Sequence, residues 1–181
     1  MTPPLTERPA TGLHGLWRDV IRDPQGRIVS ESPVRSNAIV TDCRRALAVF
    51  ISGDGGPGIE GLWFGQGLSV WDVDGAPLAT PAQVALVDPH PFFLPAADLK
   101  IDFVDDLGAV VAEPTRRVQI VAELKAGDPP WPDAFHPALS LREFGLGSRI
   151  GATQVLLNYV VHPVINKDVA SSLERTIWLV F

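Results

Sequence analysis

The residues best equipped for chemistry are four histidines, one cysteine and a scatter of acids. His90, His136 and His162 each precede a proline; His14 does not. Zinc needs three or four converging ligands. No two histidines stand at an i,i+4 helical spacing, and no H-E-x-x-H stretch occurs. Proline brings no N–H to a sheet, so the histidine–proline pairs read as strand ends. The densest case is NYVVHPVINKD at 158–168. In strand register Tyr159 and Val161 share one face, and Asn158 and His162 share the other. Pro163 interrupts pairing, and Asn166, Lys167 and Asp168 make a turn.

Other chemistries lack their context. Cys43 falls on the inward side of a predicted helix, where a thiol is inert packing. No serine sits in a G-x-S-x-G elbow. Gly53–Gly58 spells G-x-G-x-x-G, but it contains Pro57 and no helix start follows, so the stretch reads as a turn. Asp72–Gly75 spells the opening of a calcium loop without the later ligands. Asp105 and Asp106 read as a loop tip. Trp63, Trp71 and Trp131 would suit a sugar-binding face, and acids distant in sequence can form a glycosidase pair. The reading assigns no catalytic, cofactor-binding or metal-binding residue and no cofactor. A carbohydrate-binding module or glycosidase, and a metal-dependent β-barrel enzyme, stand as alternatives.

Bulk properties narrow the class. The net charge of −6 gives no basic field for nucleic acid. A single cysteine excludes an intrachain disulfide. The N-terminus MTPPLTERPATG lacks the apolar core of a signal peptide, and no apolar run approaches the roughly 20 residues of a membrane span. Seventeen prolines and sixteen glycines break the chain into short pieces, which favours β structure.

These residues must be positioned by a mainly β, antiparallel, sandwich-like domain with one short helix and an extended N-terminal arm. The division expected is an arm or hairpin at 1–40 and a β-rich core at 41–181. Residues 16–29 predict a hairpin outside the core, turning at Asp23–Gly26. TDCRRALAVFIS at 41–52 predicts the helix, capped by Thr41 or Asp42, with Cys43, Ala46, Leu47 and Phe50 inward and Gly53 as its stop. Strands are expected at 59–64, 84–87, 99–103, 109–112, 118–124, 139–146, 153–165 and 173–181. In the 139–146 strand Leu139 and Leu141 give way to Phe144 and Leu146, a phase shift that predicts a bulge. The apolar last strand needs a neighbour to cover it.

Two longer stretches carry a resemblance: ALAVFISGDGGPGIEGLWFGQGLSVWD at 46–72 and LREFGLGSRIGATQVLLNYVVHPVINKDVASSLERTIWLVF at 141–181. The order of Gly65-Gln66-Gly67, Trp71-Asp72, Arg142-Glu143-Phe144-Gly145-Leu146, His162-Pro163, Lys167 and Leu173-Glu174-Arg175 resembles small structural proteins of phage tails and contractile injection particles. The first 40 residues are not covered, and Gly147-Ser148 stands where relatives often carry another aromatic. The resemblance implies a non-catalytic virion component, a baseplate or tail-fibre adaptor. Its partners would be other tail proteins and copies of itself, with no nucleic acid and no membrane, assembled in the bacterial cytoplasm. On this reading Glu143 and His162 support the core, and a buried Glu143 needs a cation such as Arg142, Arg149 or Arg175.

Overall fold

Alternating apolar residues place the first strand, β1 (His14–Arg22), with Trp17 and Asp19 both buried. The computed structural model describes residues 12–53 and 56–181. The expected arm at 1–11, and Asp54 and Gly55 of the glycine loop, lie outside the described residues. Asp23 closes the turn after β1. Its Oδ1 accepts the amides of Gln25 and Arg27 at 2.9 Å, and its Oδ2 accepts Arg27 Nε at 2.7 Å. The Arg27 amide leads the bonds that hold this carboxyl below its usual range. β2 (Ile28–Glu31) and β3 (Arg35–Ile39) then run antiparallel to β1.

The hairpin is not outside the core. β1 pairs residue for residue with the last strand, β12 (Ser172–Val180), from His14↔Val180 to Arg22↔Ser172. Trp17 joins the main hydrophobic core. A strand with Trp17 on its inward face gains more by burying that ring than by standing apart.

Helix α1 spans Thr41–Ile51 and stops at Gly53, whose φ of 83° suits glycine. Its cap differs from expectation. Val40 occupies the N-cap with no side-chain bond, and the Thr41 amide donates instead to the Pro81 carbonyl at 2.8 Å. Cys43 is buried and its thiol is pushed up to about 11 by that burial, the signature of a packed thiol. Phe50 departs from the predicted inward set and is 66% exposed.

β4 (Gly61–Gly65), the short helix α2 (Trp71–Asp74) and β5 (Phe92–Pro95) follow. Then come β6 (Leu99–Val104), β7 (Val110–Val111), β8 (Arg117–Leu124), β9 (Ser140–Ile150), β10 (Thr153–Leu156), β11 (Asn158–Asn166) and β12. The 84–87 strand does not form, and β5 at Phe92–Pro95 lies where no strand was expected. The single strand expected at 153–165 divides at Leu157. Its amide still bonds Leu146 at 2.8 Å, and its carbonyl accepts from Val40 at 3.2 Å.

The fold is mainly β and antiparallel. The twelve strands of the described residues form one sheet in the order β5-β4-β9-β11-β3-β1-β12-β8-β6-β7, with β10 beside β9 and β2 beside β1. A 3-10 turn at Ala96–Asp98 links β5, at one end of this order, to β6, near the other. The sheet therefore curls on itself as a sandwich-like fold. Its core gathers Leu62 and Phe64 of β4, Ile120 and Leu124 of β8, Leu141, Phe144 and Leu146 of β9, and Leu173 and Ile177 of β12. β12 lies between β1 and β8, so the neighbours covering the terminal strand belong to the same chain. The bulge expected in β9 does not form there; the extra residues sit on its partner β11. Val161 pairs with Glu143 and Ile165 with Leu141, so β11 bulges at His162, Pro163 and Val164.

Candidate functional site

Three successive residues of β9 anchor three polar clusters. Arg142 forms the first. Its Nε and Nη2 clamp the Asp72 carboxylate at 2.9 and 2.6 Å, and its Nη1 donates to the Gln66 carbonyl at 3.0 Å. This bidentate grip is the main cause holding Asp72 below the usual carboxylate range. Beside it Gly67, at φ 57°, leaves the space where a Cβ would lie 2.4 Å from the Trp71 ring. Gln66 also spans outward: its amide donates to Asp88 at 2.7 Å and its Nε2 to the Ala138 carbonyl at 2.9 Å. The Asp72–Gly75 stretch is thus an ion-paired helical turn, with Asp72 committed to Arg142.

Glu143 forms the second cluster and is fully buried. Its partners are not the arginines expected. Oε1 accepts the Asp88 amide at 2.7 Å, while Oε2 accepts the Val87 amide at 3.0 Å and the Tyr159 hydroxyl at 2.5 Å. Three donors replace the water lost on burial. Desolvation and the Glu143 carboxylate push the Tyr159 phenol above its usual range. The network continues through Asp88. Its carboxylate accepts from the His90 amide at 2.9 Å and lies 3.1 Å from His136 Nε2. His136 Nδ1 lies 2.9 Å from Asp133 Oδ1, and the imidazole stacks on Trp131 at 3.9 Å. Burial pushes the Asp133 carboxyl up, but the amides of Phe135 and His136 and the imidazole together bring it below its usual range.

Phe144 forms the floor of the third cluster. The Arg175 guanidinium lies 3.8 Å over its ring centroid, with Phe64 at 5.2 Å and Trp17 at 5.5 Å. Arg175 and Asp19 are paired directly across β12 and β1. Nε meets Oδ1 at 2.7 Å and Nη2 meets Oδ2 at 2.6 Å. His162 completes the group, its Nε2 3.2 Å from Arg175 Nη2 and its Nδ1 2.8 Å from the Pro163 carbonyl. A guanidinium has only donors and a carbonyl only accepts. His162 Nε2 must therefore be the acceptor and Nδ1 must carry the proton. The ring is neutral, and burial, followed by the Arg175 charge, pushes its pKa down to about 3.

The chemistry available is limited by these commitments. His162 has spent its lone pair on Arg175, so it is neither a metal ligand nor a general base in this arrangement. A notch of about 140 Å³ opens over the cluster between Ser30 and Ser32 on one side and Pro163 on the other, but both Asp19 oxygens are already bonded. His136 faces a carboxylate from each ring nitrogen. Among the described residues no three His, Cys, Asp or Glu side chains are placed to hold a metal. The tryptophans do not share an open face. Trp63 lies against Phe93, Trp71 fills the space over Gly67, and Trp131 is buried on His136. Lys167 of the motif is structural too: its ammonium donates to the Lys125 carbonyl at 3.0 Å, and desolvation lowers its pKa.

Of the motif residues Trp71, Asp72, Arg142, Glu143, Phe144, Gly145, His162, Pro163, Lys167 and Arg175, most gather on or around β9 and β11. Gly145 and Pro163 contribute backbone: a Cβ at Gly145 would lie 2.8 Å from the Asn158 carbonyl, and Pro163 supplies the acceptor for His162. Asp19, Asp88 and Asp133 were missed. For Asp19 a signal existed, since Trp17, Asp19 and Ile21 share one face of an apolar strand and a buried carboxylate there demands a cation. Among the described residues no helix is long and apolar enough to cross a membrane. Comparison with protein-family models, curated proteins and solved structures finds no match.

Proposed function

We propose that this chain is a non-catalytic structural component of a phage tail or phage-like contractile particle, a baseplate or tail-fibre adaptor that acts by oligomeric assembly. The reading starts from the resemblance in sequence. One observation supports it most: the residues carrying that resemblance are committed to internal ties. Arg142 fastens the 66–72 segment, Glu143 fastens 87–88, and Arg175 with His162 fastens β1 to β11. A motif spent this way specifies a scaffold. The scaffold holds the connection between β4 and β5 outward, where Val73, Leu78 and Val84 are 86%, 91% and 69% exposed. Apolar residues held exposed on anchored loops suit contacts with other subunits. The terminal strand no longer argues for assembly, because β1 and β8 cover it.

The test is to tag the subunit in its producing cell, purify particles and locate the label by electron microscopy. Labelled particles, and particles lacking baseplate or fibres when the gene is deleted, support the proposal. Normal particles without the subunit refute it.

A further inference from the structure

Between α1 and the curled sheet lies a half-open chamber of about 420 Å³, outside the three polar clusters. Its walls include Leu47 and Phe50 of α1, Phe103, Val118, Leu179 and Phe181. Its volume falls in the range of small-molecule sites, which are apolar chambers with a few placed polar groups. The polar groups here are few and mostly engaged. Ser148 Oγ donates to the Gly58 carbonyl at 2.6 Å, and the Cys43 thiol holds its proton. Arg149 is different. It lines the chamber half-exposed; its Nε lies 3.2 Å and 3.4 Å from the two Glu60 oxygens, and its two terminal nitrogens make no hydrogen bond to the described residues. A planar donor pair of this kind matches a carboxylate.

We propose that the α1 chamber is a binding site for a single-chain carboxylate amphiphile, with the alkyl chain in the apolar walls and the carboxylate on Arg149. Charge and shape select this class. A neutral hydrocarbon would leave the guanidinium unused, and a polar solute would gain nothing from the walls. The inference is independent of the assembly reading.

Isothermal titration of the full chain with octanoate, decanoate and dodecanoate, each below its micellar concentration, tests the site. The expected result is one site per chain, tightening roughly fourfold for each added methylene, the equivalent of about 0.8 kcal/mol. Arg149→Gln should weaken decanoate binding by about tenfold, to the level at which the unaltered protein binds decanol. Leu47→Trp, filling the chamber, should abolish binding while circular dichroism stays unchanged. If that variant fails to fold, the chain-length series and Arg149→Gln decide alone. The proposal is overturned by absent or unsaturable binding, by affinity that ignores chain length, or by indifference to Arg149→Gln. A stable dimer that Leu47→Trp dissociates, with no fatty-acid binding, would overturn it too, by assigning the chamber to a second copy.

Discussion

His162 and His136 are both followed by proline, and both are buried, yet their surroundings are opposite in charge. His162 sits in the core against an arginine and accepts a hydrogen bond from it. His136 sits under a loop between Asp88 and Asp133, where both ring nitrogens face acceptors. A carboxylate oxygen only accepts, so each contact asks the ring to donate. The dipeptide therefore does not define the role. What the ring is asked to do, accept in one case and donate in the other, is fixed by distant acids and bases that the sheet brings alongside.

The largest difference between the two regions should appear when the charges are broken. Arg175→Met leaves Asp19 buried without its cation and should cost about 3–5 kcal/mol in urea unfolding. Pairing it with Asp19→Leu should recover much of that loss, because the pair itself stabilises little against apolar replacements. If the double variant is no more stable than the single, the Asp19–Arg175 account fails.

Acid should separate the regions next. His162 in the folded chain has its pKa lowered to about 3 from 6.5. Above pH 6.5 both states are neutral and the group contributes no pH dependence. As pH falls below 6.5 the unfolded chain takes the proton and the folded chain does not, so stability drops, by about 2 kcal/mol at pH 5. His162→Gln should flatten that part of the stability–pH curve. An unchanged slope would contradict the assignment.

A local effect is expected at the other histidine. His136→Gln should leave the global unfolding midpoint nearly unmoved but raise amide hydrogen exchange across 131–137, where Trp131 and Asp133 lose their partner. The smallest effect is at the first cluster. Arg142→Gln should return the Asp72 carboxyl toward its ordinary range, visible in a carbonyl-detected NMR titration, because the guanidinium hydrogen bond is the main cause of its depression.

Much of the fold was legible because it is local. The alternation of Ile120, Ala122 and Leu124, the Asp23 turn and the α1 pattern all encode themselves within a few residues. Elements that failed did so where distant groups intervened. The stretch at 84–87 has strand-forming residues, but the amides of Val87 and Asp88 are taken by Glu143, 56 and 55 residues away. Phe50 fits the helical period but stands at the chamber mouth rather than in the core. The motif residues were recognisable, whereas their partners were not. Arg175 meets Asp19 across 156 positions, and Arg142 meets Asp72 across 70. Such pairings are set by strand order, which no short window of sequence contains.

The central claim is that the motif builds a scaffold and leaves His162 chemically committed. Nitrogen-15 NMR of the imidazole, titrated from pH 7 to pH 4.5, tests it most directly. The expected result is a neutral ring throughout, with the proton on Nδ1 and an unprotonated, hydrogen-bonded Nε2. A ring that titrates near pH 6.5, or that carries its proton on Nε2, would contradict it.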